Sequence, residues 1–180
     1  MIRAEAETKT RRDEPERVGE SGKLGDLYRR HAGDAARLAY LVTGDRALAE
    51  DIVQEAFVRL YGRFRDLRNP DAFEFYLRRT VVNLARSHFR HRKVERNYVA
   101  GPGQPPPRTS AELPDVGVRD ELWTALQSLP ERQRTAIVLR FYEDLSEATT
   151  AEVMRCPIGT VKSLVSRGLE RLRVTLPRSE

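Results

Sequence analysis

The residue types best suited to chemistry lie near the C-terminus. Taking roughly 100° per residue, Lys162, Ser163, Ser166, Arg167, Glu170 and Arg173 share one arc of a helix starting near Ile158. Val161, Leu164, Val165, Gly168, Leu169 and Leu172 fill the opposite arc. Ammonium and guanidinium groups donate to guanine edges and phosphates, and a serine hydroxyl serves several bases or a phosphate. Upstream, Ser146 can cap a short helix containing Ala151, Val153 and Met154, and Arg155-Cys156-Pro157 must then turn the chain. Helix, tight turn and second helix thus follow in order from about Leu145 to Arg173, the layout of a helix-turn-helix whose second helix lies in the major groove of duplex DNA. A merely solvated basic face would share the charge but not that order. From Arg155 to Arg178 there are six basic residues against Glu170 alone.

A second cationic track lies mid-chain. Arg79, Asn83, Arg86 and Arg90 follow steps of four, three and four, and from Arg78 to Arg96 seven basic residues face only Glu95. Such a stripe suits a strand whose phosphates must be neutralised. Metal or nucleophilic catalysis finds no support: His31, His88, His91 and the single Cys156 form no ligand or triad spacing with one another or with a carboxylate cluster. No cofactor is expected, and the chain reads as a non-enzyme.

Helical patterns must position these groups. Leu27, Tyr28, Ala35, Leu38 and Val42 recur at three- and four-residue steps from Leu24 until Thr43-Gly44-Asp45. Asp45 can cap a second helix, with Leu48, Ile52, Ala56, Leu60 and Phe64 on one face and Glu50, Asp51, Gln54 and Glu55 elsewhere. Asn69 and Pro70 open a third, with Phe73, Leu77, Thr80, Val81, Leu84 and His88 inward. Gly101-Pro102-Gly103-Gln104-Pro105-Pro106-Pro107 then breaks the pattern. Periodicity resumes near Arg119 with Leu122, Trp123, Leu126 and Leu129, and Pro130 starts a further helix through Ile137, Leu139 and Phe141. The expectation is all-α: a disordered tail over 1–22, a helical domain over 23–96, a flexible linker over 97–118, and a second helical domain over 119–176, their relative placement left open.

Composition sets bounds. Over 180 residues the chain is 39% hydrophobic and 33% charged, so its core must come from narrow apolar stripes on polar helices. A net charge of +5 and a pI near 9.6 point to a polyanionic partner. One cysteine excludes an intramolecular disulfide and suits a reducing compartment. No apolar run is long enough to span a bilayer, so no membrane insertion and a cytoplasmic location are expected.

The stretch from Leu145-Ser146 through Pro157-Ile158-Gly159-Thr160-Val161-Lys162-Ser163 to Arg171-Leu172-Arg173 resembles region four of bacterial sigma factors of the extracytoplasmic-function type. Asp51-Ile52-Val53-Gln54-Glu55-Ala56-Phe57 resembles their region-two core-binding helix, and Tyr76-Leu77-Arg78-Arg79-Thr80-Val81-Val82-Asn83 their promoter-melting helix. Two motifs in the family's order, over about 24–96 and 119–174, are far more specific than a helix-turn-helix alone. The resemblance implies that Asp51, Gln54 and Glu55 dock on the clamp helices of the largest RNA polymerase subunit, with region four on the flap of the second-largest. Arg79, Asn83, Arg86 and Arg90 would grip the minus-ten element, with Phe64, Leu67 or Tyr76 as apolar walls of a pocket at the Arg65 to Asn69 loop, although these side chains also have helical core spacing. Arg140, Thr160, Lys162, Ser163, Ser166 and Arg167 would read the minus-thirty-five duplex, and an anti-sigma factor becomes a candidate partner.

Three positions depart from the pattern. Leu164 stands where many relatives carry an arginine, Arg155 where the turn often has glycine, and Thr149-Thr150 where a glutamate and an aliphatic residue are common. The first implies a lost DNA contact, the second a backbone cost on the order of 1 kcal/mol, and the third a missing capping-box partner. A dimeric helix-turn-helix regulator of operator DNA remains the competing reading.

Overall fold

The computed structural model describes the backbone of residues 14–64, 70–99 and 120–176, and side chains from 25–61, 72–94 and 121–176. No strand occurs among the described residues. The described residues form seven α-helices in two packed groups: α1 (Glu14–Thr43), α2 (Arg46–Phe64) and α3 (Pro70–Val99), then α4 (Asp120–Ser128), α5 (Glu131–Ile137), α6 (Glu147–Met154) and α7 (Ile158–Thr175). Helix α1 starts at Glu14, well before Leu24, so residues 14–22 are helical where disorder was expected. Apolar periodicity marks only the part of a helix that packs, and a polar extension of it carries no such mark.

The first turn between helices follows local chemistry. Thr43 Oγ1 donates to the Ala39 carbonyl at 2.7 Å, Gly44 turns at φ +74°, and Asp45 Oδ1 accepts from the Leu48 N–H at 3.1 Å to cap α2. The positive φ favours glycine, and a Cβ there would also push aside the far end of the Gln127 side chain. Ile52, Ala56 and Leu60 of α2 face inward as their spacing demands, against Leu38 and Val42 of α1 and Phe73, Leu77 and Val81 of α3. Phe57 and Phe73 meet with ring centroids 5.7 Å apart.

The second group closes around Ala136, Leu139, Val153, Val161 and Leu172. Helices α5 and α7 approach so closely that a Cβ on Gly168 would lie 3.0 Å from Ile137 Cγ1. Beyond Ile137 the chain widens into a π-helical segment, Val138–Tyr142, with the Glu143 N–H bonded to the Val138 carbonyl at 3.0 Å. The wider turn advances the register. Phe141, in this segment, is 58% exposed.

The two groups do not stand apart. Helix α3 has a second inward arc, Arg78, Val82, Ala85 and Phe89, in which Val82 and Ala85 are buried. Arg78 pairs with Glu143 at 2.5 Å and Phe89 lies under Arg134, its ring centroid 5.9 Å from the guanidinium carbon. Tyr40 of α1 and Trp123 of α4 stack with centroids 4.5 Å apart. The placement left open by the sequence is thus a closed one.

Candidate nucleic-acid interface

The α6-turn-α7 unit is built by its caps. Ser146 Oγ accepts from the Thr149 N–H at 3.1 Å, and the Thr149 hydroxyl lies 2.8 Å from Ser146 Oγ. Thr149 so supplies a polar partner where a glutamate was missing. At the other end of α6, the Cys156 N–H bonds to the Ala151 carbonyl at 3.0 Å and the Arg155 N–H to that of Glu152 at 3.3 Å. That pair of bonds is a Schellman cap, with Arg155 at φ +50°, ψ +56° in the place glycine usually takes. Half-buried Cys156 packs on the core as the cap's apolar contact, and Pro157 starts α7.

On α7 the two arcs separate as read from the sequence. Val161, Leu164, Gly168 and Leu172 are buried, whereas Lys162, Ser163, Ser166 and Arg167 face solvent on one side. Ser163 Oγ donates to the Gly159 carbonyl at 2.9 Å, and Arg167 Nε to the Ser163 carbonyl at 3.1 Å, which lays the guanidinium along the helix surface. Lys162 Nζ lies 3.6 Å from Glu147 of α6, an exposed and therefore weak pairing. Thr160 is half-buried beside this face. Two expectations change. Leu164 is 7% exposed, so its side belongs to the core and no DNA contact is lost there. Arg140 donates to the Leu145 carbonyl, bracing the loop into α6, so at least part of its guanidinium is committed within the protein.

On α3, Arg86 and Arg90 are exposed, while Arg79 and Asn83 are half-buried. Arg79 Nε is fully covered with no hydrogen-bond partner. Tyr76 is 42% exposed and meets Phe75 edge-on at 5.5 Å. Leu67 and the rest of the 65–69 loop lie outside the described residues. His88, edge-on to Phe89 at 6.4 Å, is a packing residue, and His91 is exposed. Among the described residues no cluster of His, Cys, Asp or Glu could hold a metal.

Asp51, Gln54 and Glu55 of α2 are exposed, with Glu55 paired to Arg59 at 2.5 Å. Val58, 74% exposed, and Tyr61, 40% exposed, continue the same arc at three- and four-residue steps. Sequence reasoning passed over both, although a valine and a tyrosine outside the apolar stripe of an acidic helix were a readable signal. Together they form an apolar centre edged by carboxylates, the usual composition of a protein-docking patch.

Burial shapes the charges at the junction. Desolvation holds the Glu131 carboxyl above its ordinary range despite Arg134, Arg86, Arg132 and Lys93 nearby. Desolvation also lowers Arg134, with Glu131 opposing. The Tyr40 phenol is raised by burial against the pull of Arg46.

Two family models match the chain: Sigma-70 region 2 over residues 27–94, and Sigma-70 region 4 over 119–172. An ECF RNA polymerase sigma factor, SigE of Mycolicibacterium smegmatis, is 34% identical over 156 residues, 82% of this chain and 59% of that protein. The RNA polymerase sigma-E factor of Streptomyces avermitilis is 32% identical over 167 residues, 88% of this chain and 87% of that one. The chain belongs to the ECF sigma factors. The paired regions decide for a sigma factor over a stand-alone operator-binding regulator. In fold, this sigma factor is similar to RpoE of Bartonella quintana, solved in complex with the anti-sigma factor NepR: TM-score 0.66 at 23% identity, covering 85% of this chain and 96% of that one. No described helix of the sigma factor is long and apolar enough to cross a membrane.

Proposed function

We propose that this sigma factor docks on core RNA polymerase through the α2 arc of Asp51, Gln54 and Glu55, with Val58 and Tyr61 at its apolar centre. Exposed carboxylates accept paired hydrogen bonds from arginines, and Gln54 adds a neutral donor and acceptor that sharpens orientation. The partner surfaces are the clamp helices of the largest subunit and, for the C-terminal helices, the flap of the second-largest. Residues 23–96 and 119–176 act as the two functional units and 97–118 as their linker.

Promoter recognition is divided between them. Lys162, Ser163, Ser166 and Arg167, with Thr160 at the helix start, read the minus-thirty-five duplex in the major groove, and Arg140 supports the loop that leads into the motif. Arg79, Asn83, Arg86 and Arg90, with Tyr76 and Leu67, capture the minus-ten strand. No bond is made or broken by the sigma factor. A base leaving the stack costs a few kcal/mol, offset when it is held by the protein and its strand meets cations. Such work belongs in the cytoplasm beside the polymerase, and an anti-sigma factor is a fitting regulator.

The observation that carries this reading is the exposure of Lys162, Ser163, Ser166 and Arg167 together on a capped second helix, on a chain that also bears the exposed acidic arc of α2. The test is reconstitution with core polymerase on a genomic promoter library, read as transcription start sites. Promoter-specific initiation is expected; its absence refutes the proposal. Asn83→Ala should impair open-complex formation more than closed-complex binding, and Arg167→Ala should weaken duplex recognition. Equal effects on both steps would contradict the division of labour.

A further inference from the structure

Among the described residues, two that are not glycine hold a positive φ: Asp144 at 49° and Arg155 at 50°. Asp144 is of the short polar type that visits this region with local hydrogen bonding, whereas a long side chain with an ordinary Cβ has no such relief. Arg155 nevertheless takes the place of glycine in the cap that closes α6. Its backbone serves that cap, the N–H bonding to the Glu152 carbonyl at 3.3 Å. Its side chain does not. The guanidinium is exposed and makes no hydrogen bond or ion pair with any described residue, the Glu152 carboxylate on the preceding turn included. A strained backbone that holds out an unengaged charge serves something outside the fold.

Arg155 ends α6, and Pro157 starts α7 two residues on. In a helix-turn-helix the first helix crosses the DNA backbone and the second enters the major groove by its N-terminal residues, which leaves the turn between them at the rim of the groove, where the phosphates run. Thr160, Lys162 and Ser163, at the start of α7, are the residues that enter. The planar fork of a guanidinium matches the oxygens of a phosphate, and it stays charged at every relevant pH. Given the assignment of α7 to the minus-thirty-five duplex, on which this inference rests, we propose that Arg155 is a backbone clamp: its guanidinium binds one phosphate at the rim of the groove, beside the bases that α7 reads. The contact carries no sequence information. It adds affinity and sets the register of the motif on the duplex, while Lys162, Ser163, Ser166 and Arg167 discriminate among bases. The strain at Arg155 is thus retained for binding, at a position where the fold alone favours glycine.

The test uses holoenzyme reconstituted with core polymerase on a promoter fragment located by start-site mapping, with closed-complex affinity measured against salt. Arg155→Ala and Arg155→Gly should each lower the slope of log K against log salt by about 0.9, the loss of one phosphate contact on duplex DNA. The fall in affinity between about 50 and about 200 mM salt then becomes about 3.5-fold smaller than in the wild type. Arg155→Lys keeps a charge at the same place and should retain the slope. Fragments with single methylphosphonate linkages across the minus-thirty-five element locate the contact: one neutralised phosphate should weaken the wild type and leave Arg155→Ala unaffected. On a fragment with a scrambled minus-thirty-five element Arg155→Ala should lose by the same factor as on the intact one, whereas Arg167→Ala should lose mainly on the intact one. An unchanged salt slope in Arg155→Ala, a lysine variant that behaves like the alanine, or no linkage to which the wild type alone responds would overturn the clamp. Should Arg167→Ala also leave affinity for the intact element unchanged, the assignment of α7 fails instead.

Discussion

Replacing Arg155 by glycine should make the protein more stable, although it deletes a charged side chain at the centre of the helix-turn-helix. Arg155 is exposed and holds φ +50°, ψ +56°, where a Cβ crowds the following carbonyl at a cost of about 1–2 kcal/mol. Both capping bonds use its backbone or that of Cys156, so they survive the substitution. Against this gain stands the extra freedom of glycine in the unfolded chain, about 0.4–1 kcal/mol. The net expectation is a stabilisation of about 0.5–1 kcal/mol, or a rise in Tm of roughly 1–4 °C for a chain of this size. Arg155→Ala is the control, because it removes the charge and keeps the Cβ, and it should lie close to the wild type. Denaturant unfolding followed by circular dichroism gives both differences. Arg155→Gly no more stable than Arg155→Ala would refute the strain argument, and with it the view that this turn stores a cost its relatives avoid.

Gly168→Val should destabilise by about 1–3 kcal/mol, since its side chain would press on Ile137 and Gln133 across the α5–α7 contact; urea melts check the value, and duplex binding should fall with it as α7 is displaced. Arg134→Met removes three roles at once, leaves the Val42 and Gln127 carbonyls without their donor, and should cost about 2–4 kcal/mol by the same melts. Glu131→Gln should alter the pH dependence: the folded carboxyl titrates above its ordinary value of 4.5, so the folded state binds more protons and wild-type stability falls as pH rises through that window. The amide should flatten the fall, and unchanged pH profiles of Tm would contradict it. Each phosphate-binding cation removed from the exposed pair Arg86 and Arg90 should reduce the slope of log K against log salt by about 0.7 on a single-stranded oligonucleotide.

What could be read from the sequence, and what could not, follows from how each element is buried. Helix α7 was legible to the residue because one face is solvated and the other packed, and a period of 3.6 then separates Lys162, Ser163, Ser166 and Arg167 from Val161, Gly168 and Leu172. Helix α3 was only half legible. Its first apolar arc stands out, but the second, Val82, Ala85 and Phe89, is interleaved with arginines and so reads as scatter on a polar face. The helix read as running through Phe141 turns π-helical from Val138, a change that no periodicity announces. Leu164 was weighed as a missing arginine of the DNA face, although its own arc with Val161 and Leu172 already placed it in the core.

Arg134 makes the same point most sharply. In the sequence it is one of several arginines between Arg132 and Arg140, with nothing to mark it for burial. Its acceptors are the carbonyls of Val42 and Gln127, groups that every residue carries and that become available only because α1 and α4 end where they do. Side-chain patterns report which faces are apolar; helix ends create polar demands that the patterns do not record. The contact between the two halves is built in part on those demands. That is why the polar arc of α7 was visible before the structure and the contact between the two halves was not.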